Sequence, residues 1–229
     1  MTWLWSNLDL VGELILVHLA LSVPAIILSF VVSIPIGWLA HRYRWSRGVL
    51  LSLCALLYAI PSLALFVALP AITGLGLRSP LNLVIALTLY GIAVIVRTAA
   101  DAFDAVERDV LQSATSMGYS SAGRFWGVEL PLAGPVLLSG LRVVVVSTVS
   151  LATVGAVIGV PSLGSLFTDG FQRGIEVEIA TGIVATIALA LLLDWLCVVI
   201  GRALMPWSRG DAATARAQST TLVKQADAA

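Results

Sequence analysis

Asp101 to Pro131 reads DAFDAVERDVLQSATSMGYSSAGRFWGVELP, a long polar stretch set between apolar runs. Val106, Val110, Ala114 and Met117 recur at three- and four-residue steps, one stripe of a helix. Asp104, Glu107, Arg108, Asp109 and Gln112 occupy the other side. Gly118 interrupts the pattern where a helix needs a left-handed cap. Ser120 and Ser121 then cap a second short helix bearing Phe125, Trp126 and Val128. Leu130-Pro131 closes that helix and opens the next apolar run. Helix, glycine turn and helix, with apolar side chains on show, form a docking element for a partner chain. The competing reading is an amphipathic connector lying on lipid. Such a helix carries a basic polar face, whereas Asp101, Asp104, Glu107 and Asp109 face a single arginine, Arg108.

Outward from this segment the chain turns greasy. Of 229 residues, 59% are hydrophobic and 11% charged, far from the quarter charged of a soluble domain. No globule of this size hides so much apolar surface. A crossing needs about 20 apolar residues, and five runs qualify: about 14–40, 49–72, 81–100, 132–160 and 179–204. The expectation is an all-α integral membrane protein. It has an external segment at 1–13, a transmembrane domain at 14–205 with its loop at 101–131, and a mobile, dispensable tail at 206–229. Residues 161–178 stay open, as a re-entrant segment or an extra helix. Eleven basic residues fall at the two turns and tail on one side, against Arg78 and Arg173 on the other. The positive-inside rule then places the N-terminus outside and the C-terminus in the cytoplasm. Residues 1–13 lack a basic residue, so no cleavable signal is expected, and Trp3 and Trp5 read as interfacial anchors.

Composition also closes off chemistry. Thirteen basic and 13 acidic residues leave no net charge, which disfavours nucleic acid. The sole lysine, Lys224, lies in the tail, so a phosphate-binding G-x-x-x-x-G-K-[ST] loop cannot occur. His18 and His41 cannot make a structural zinc site, and Cys54 and Cys197 read as packing thiols. No catalytic or metal-binding residues are assigned. His18 with Ser22 reads as an interhelical hydrogen-bonding group, and Gly155 with Gly159 as a close-packing step. Asp194 has two readings: a residue of the substrate path, or a carboxylate paired with Arg97 or Arg142. Tyr58, Tyr90 and Trp195 could offer aromatic faces to a passing cation, or simply pack.

The elbow segment carries a resemblance. Gln112-Ser113-Ala114, three residues, Gly118, nine residues, then Val128-Glu129-Leu130-Pro131 resembles the EAA loop of bacterial ABC importer permeases, E-A-A, three, G, nine, I-x-L-P. Gln112, Ser113 and Val128 replace Glu, Ala and Ile of that pattern. The resemblance covers about residues 14–205 and implies the type I permease fold in the bacterial inner membrane. It also implies that Gln112, Ser113, Ala114, Gly118, Tyr119, Arg124, Leu130 and Pro131 form the ATPase-docking loop. Implied partners are ABC ATPase subunits that bind ATP and magnesium, a second permease subunit (same or related), and an external solute-binding protein. No cofactor is implied in this chain. Ile60-Pro61-Ser62-Leu63-Ala64-Leu65 resembles the osmoprotectant permeases for glycine betaine, choline, carnitine or proline, as does the segment from Gly159 to Gly164 with Phe167 and Gly170. Tyr58, Tyr90, Asp194 and Trp195 are the candidate path residues. The runner-up is a permease of the same type for an amino acid or oxyanion. A self-sufficient carrier would show repeats and intramembrane ionisable groups, and a membrane enzyme would show a clustered site; neither pattern is found.

Overall fold

Pro61 and Pro70 determine how the second apolar run crosses, and the rest of the bundle is arranged around that crossing. A computed structural model describes residues 2–207; the tail from 208 onward lies outside the described residues. The helices are α1 Thr2–Ser6, α2 Leu8–Arg42, α3 Arg44–Ala59, α4 Ser62–Thr73, α5 Pro80–Asp104, α6 Arg108–Ser116, α7 Ser121–Arg124, α8 Leu130–Val154, α9 Ser165–Arg173 and α10 Glu176–Leu204. A π-helical turn at Phe125–Glu129 joins α7 to α8, and a 3-10 turn at Gly155–Ile158 follows α8.

Four helical stretches are long and apolar enough to cross a bilayer, and α3 with α4 forms a fifth candidate bent by 106°. Side-chain contacts show that this bent pair traverses the bundle. Arg47 near the start of α3 meets Asp101 and Asp104 at the end of α5. Tyr58 meets Tyr90 halfway, and Thr73 at the end of α4 reaches Asn82 at the start of α5. Helix α3 therefore runs opposite to α5 as far as Tyr90, and α4, turned away by the bend, crosses at the start of α5. His41 near the end of α2 also pairs with Asp104, so α2 and α5 end together. Helix α8 runs back against α5, and α10 descends along α8 through Asp194–Arg142 and Gly201–Leu138. Five crossings result, and the two ends of the bundle hold Leu8 and Leu204 respectively.

A broken helix frees carbonyls that lipid cannot satisfy. Pro70 has no N–H for the Phe66 carbonyl four residues earlier. The fully buried Asn82 amide supplies the missing donor at 3.4 Å. At the break itself the Tyr90 hydroxyl donates to the Ile60 carbonyl. Tight α2–α5 packing comes from small residues: a Cβ on Gly37 would lie 2.4 Å from the Ala99 methyl, and one on Gly91 would lie 2.5 Å from Ser29 Cβ.

Several expectations change. Helix α2 starts at Leu8, so Asp9 and Glu13 of the 1–13 segment are already helical; backbone hydrogen bonding continues past the point where hydropathy falls. The second elbow helix does not end at Leu130-Pro131. It continues into α8 through the π-helical turn Phe125–Glu129, in which the Leu130 N–H bonds the Phe125 carbonyl just ahead of Pro131, a residue with no N–H to give. Residues 161–178 contain the short helix α9. Gly155 does pack closely, against Leu83, but Gly159 is a left-handed turn residue with φ +82°, so the pair is not one helical packing step. His18 bridges helices as expected: it is fully buried, with Nε2 donating to the Val149 carbonyl and Nδ1 accepting from the Leu163 N–H. Ser22 instead bonds the His18 carbonyl within its own helix.

Replacing Asn82 with Leu leaves the Phe66 carbonyl without a donor. The expected loss is about 1–3 kcal/mol, read as a lower thermal midpoint in detergent. An unchanged midpoint would show that Asn82 does not support the break.

Candidate functional site

The elbow is built from local rules and then fixed by long-range ones. Helix α6 ends at Gly118, whose φ of +87° is the left-handed conformation that a side chain resists. The Ser120 hydroxyl then accepts from the Gly123 N–H at 3.1 Å and starts α7. Ala114 is buried, and its carbonyl accepts from the Tyr119 N–H, closing the turn. Gln112 and Ser113 are exposed. Val110, Met117, Tyr119 and Trp126 are exposed large apolar side chains, with Met117 at 72% and Trp126 at 69%. The stripe read from the sequence is thus split, Val106 and Ala114 facing inward and Val110 and Met117 outward.

Arg124 does not point outward to a partner. Its Nε donates to Glu129 Oε1 at 2.8 Å and its Nη1 to Thr115 Oγ1 at 3.1 Å. Glu129 is 4% exposed, and its second oxygen accepts from Trp38 Nε1 in α2 at 2.9 Å. Phe125 packs edge-on against Trp38 at 5.5 Å and lies 5.9 Å from Phe103 at the end of α5. Leu130 packs in the same cluster, and with Pro131 lines an apolar groove of about 640 Å³ beside α10. The elbow is therefore bolted to α2, α5 and α8. Glu129 was missed by sequence reasoning. Its only signal was an acid at the root of an apolar run, five residues from an arginine.

The candidate path residues separate into two places. Tyr58 and Tyr90 meet edge to face at 6.3 Å beside the helix break. Tyr90 is nearly buried with its hydroxyl committed to Ile60, while the Tyr58 ring is exposed. Asp194 lies apart on α10, and both of its oxygens accept from Arg142, at 2.7 and 2.8 Å. Arg142 is thus the partner that the pairing reading required. Trp195 is exposed on α10. His41, Arg47, Asp101 and Asp104 form a charge cluster at the elbow end, so two acids read as an outward face are bound to α2 and α3.

A five-crossing helical body with a rigid, apolar-tipped elbow defines a membrane-spanning permease subunit. Residues 29–207 match the family described as binding-protein-dependent transport system inner membrane component, and the chain belongs to that family. It is 31% identical over 197 residues to the osmoprotectant import permease protein OsmW of Salmonella typhimurium, covering 85% of this chain and 91% of that one. It is 29% identical over 191 residues to the glycine betaine/carnitine/choline transport system permease protein OpuCD of Bacillus subtilis, covering 82% of each. The fold is similar to an inward facing conformation of the MetNI methionine ABC transporter, with TM-score 0.76 at 20% identity over 86% of this chain and 97% of that one.

Glu129→Ala leaves Trp38 and Arg124 facing an empty buried site. We expect a loss on the order of 3 kcal/mol in detergent unfolding. Arg124→Ala combined with Glu129→Ala should cost less than the sum of the single changes. Full additivity would show that the two side chains do not act as a unit.

Proposed function

We propose that this inner-membrane permease subunit pairs with a second permease subunit, the same or a related chain. The pair forms the path of an ATP-driven importer for an osmoprotectant: a quaternary ammonium such as glycine betaine, choline or carnitine, or else proline. The observation that carries the coupling is the elbow: an uncovered apolar tip on a base locked by Trp38, Glu129, Arg124 and Thr115. The tip offers a separate ATPase, which binds ATP and magnesium, a surface to grip. The elbow end faces the cytoplasm, in keeping with the distribution of basic residues, and an external solute-binding protein meets the opposite end.

Approach of two ATPases draws the two elbows together. Because each elbow is fixed to α2, α5 and α8, the displacement passes into the crossings and tips the path outward. Hydrolysis releases the elbows and restores the inward-facing state, a two-state switch biased by nucleotide. The cargo reading is supported by the specificities named for the relatives and by the Tyr58–Tyr90 pair, whose ring faces attract cations.

Gly118→Val forces a β-branched residue into a left-handed turn. In vesicles holding the complete transporter, glycine betaine uptake should fall while basal ATP hydrolysis persists without stimulation by solute. Normal uptake with solute-stimulated hydrolysis would reject the elbow as the coupling element.

A further inference from the structure

One charge on α5 belongs neither to the elbow nor to any ion pair among the described residues. Arg142 is neutralised by Asp194, and Arg47 by Asp101 and Asp104. Arg97, seven residues before the end of α5 and about 10 Å along its axis, is exposed and has no hydrogen-bond or ion-pair partner among the described residues. A guanidinium in a spanning helix needs an anion or water. Arg97 lines a cavity of about 320 Å³ with Leu51, Cys54, Ala55, Tyr58, Ala93 and Val94.

That cavity is bipolar. One wall bears the planar positive fork of Arg97, and another bears the exposed Tyr58 ring, backed edge-on by Tyr90. The remaining walls are apolar. Its volume falls at the small end of the about 300–1,000 Å³ typical of small-molecule sites. A planar guanidinium matches a carboxylate with two parallel N–H···O bonds, and a tyrosine face attracts an ammonium group. A small zwitterion carries both groups within one molecule.

We propose that Arg97 is a transient subsite on the path for the carboxylate of a zwitterionic cargo, with Tyr58 receiving the cargo's quaternary ammonium. This rests on the quaternary-ammonium reading and narrows it: betaines gain a contact at Arg97 that choline, lacking a carboxylate, does not. A lipid phosphate presents the same oxoanion chemistry from another source, and the experiment separates the two.

Cys54 shares the cavity and serves as its reporter; Cys197→Ala leaves it as the chain's single thiol. In vesicles holding the complete transporter, alkylation of Cys54 by N-ethylmaleimide is followed by mass spectrometry of its peptide. Glycine betaine should slow the reaction and choline should do so far less. The protection should vanish in Arg97→Gln and return in part in Arg97→Lys. Betaine uptake should fall about tenfold in Arg97→Gln, the loss of a charge-assisted pair, with choline uptake far less affected. Equal protection by both solutes, or protection that survives Arg97→Gln, overturns the proposal. So does a rate that follows the phosphatidylglycerol content of the vesicles and ignores betaine. Absence of all osmoprotectant uptake by the unaltered protein defeats the cargo reading instead, while Cys54 protection, which requires no turnover, reads the subsite separately.

Discussion

A buried carboxylate at the root of the elbow holds this permease together as a machine. Glu129 is withdrawn from water, and such a charge is tolerated only when its oxygens are well bonded. Trp38 takes one oxygen and Arg124 the other, and Arg124 extends the chain to Thr115. Three separate pieces of sequence meet there: the end of the first crossing, the small helix of the elbow, and the base of the fourth crossing. Any rotation of the elbow relative to α2 would strand a buried charge. The connector therefore behaves as a lever rather than a tether, and Phe125 wedged near Trp38 and Phe103 stiffens it further.

The second crossing depends on its neighbour α5 in another way. Its 106° bend would expose backbone groups to lipid if α5 did not meet it with the right side chains. Tyr90 and Asn82, two turns apart on α5, each close a carbonyl that the proline-rich segment leaves open. Both lie toward the bundle, and the bend places the Tyr58 ring and the neighbouring cavity on the exposed side of α3. The break is thus a means of shaping a surface: a straight helix could not present Tyr58 while α4 crosses the end of the bundle toward Asn82.

What was legible in the sequence was local chemistry and average polarity. Gly118 and Ser120 announced the turn and the cap because those roles depend on a residue and its immediate neighbours. The crossings showed through because each concentrates apolar residues, although Asp9 and Glu13 hid the true start of α2. What stayed hidden depended on partners distant in the chain. Pro24, Pro35, Pro61, Pro70 and Pro135 look alike in an apolar run, yet the helix breaks only at Pro61, where α5 can catch the freed Ile60 carbonyl. Asp194 finds Arg142 across 52 positions, and no spacing rule distinguishes that partner from Arg97. Glu129 looked like a neutral position within its motif, because its worth lies in Trp38, 91 positions away.

The arrangement of charge follows the division of labour. At the elbow end, Arg47, His41, Asp101 and Asp104 lock the turns of α2, α3 and α5 into one block. Between α8 and α10, Arg142 and Asp194 cancel, so the fifth crossing can present apolar residues to lipid without a net charge behind them. Each of these pairs joins elements that must move together. A charge in the bundle left out of such a pair is free to meet something that comes and goes, because no structural contact has to break first. Paired charges therefore mark the rigid bodies of the transporter, and Arg97, without an ion-pair partner among the described residues, marks the cavity at the α3–α5 seam.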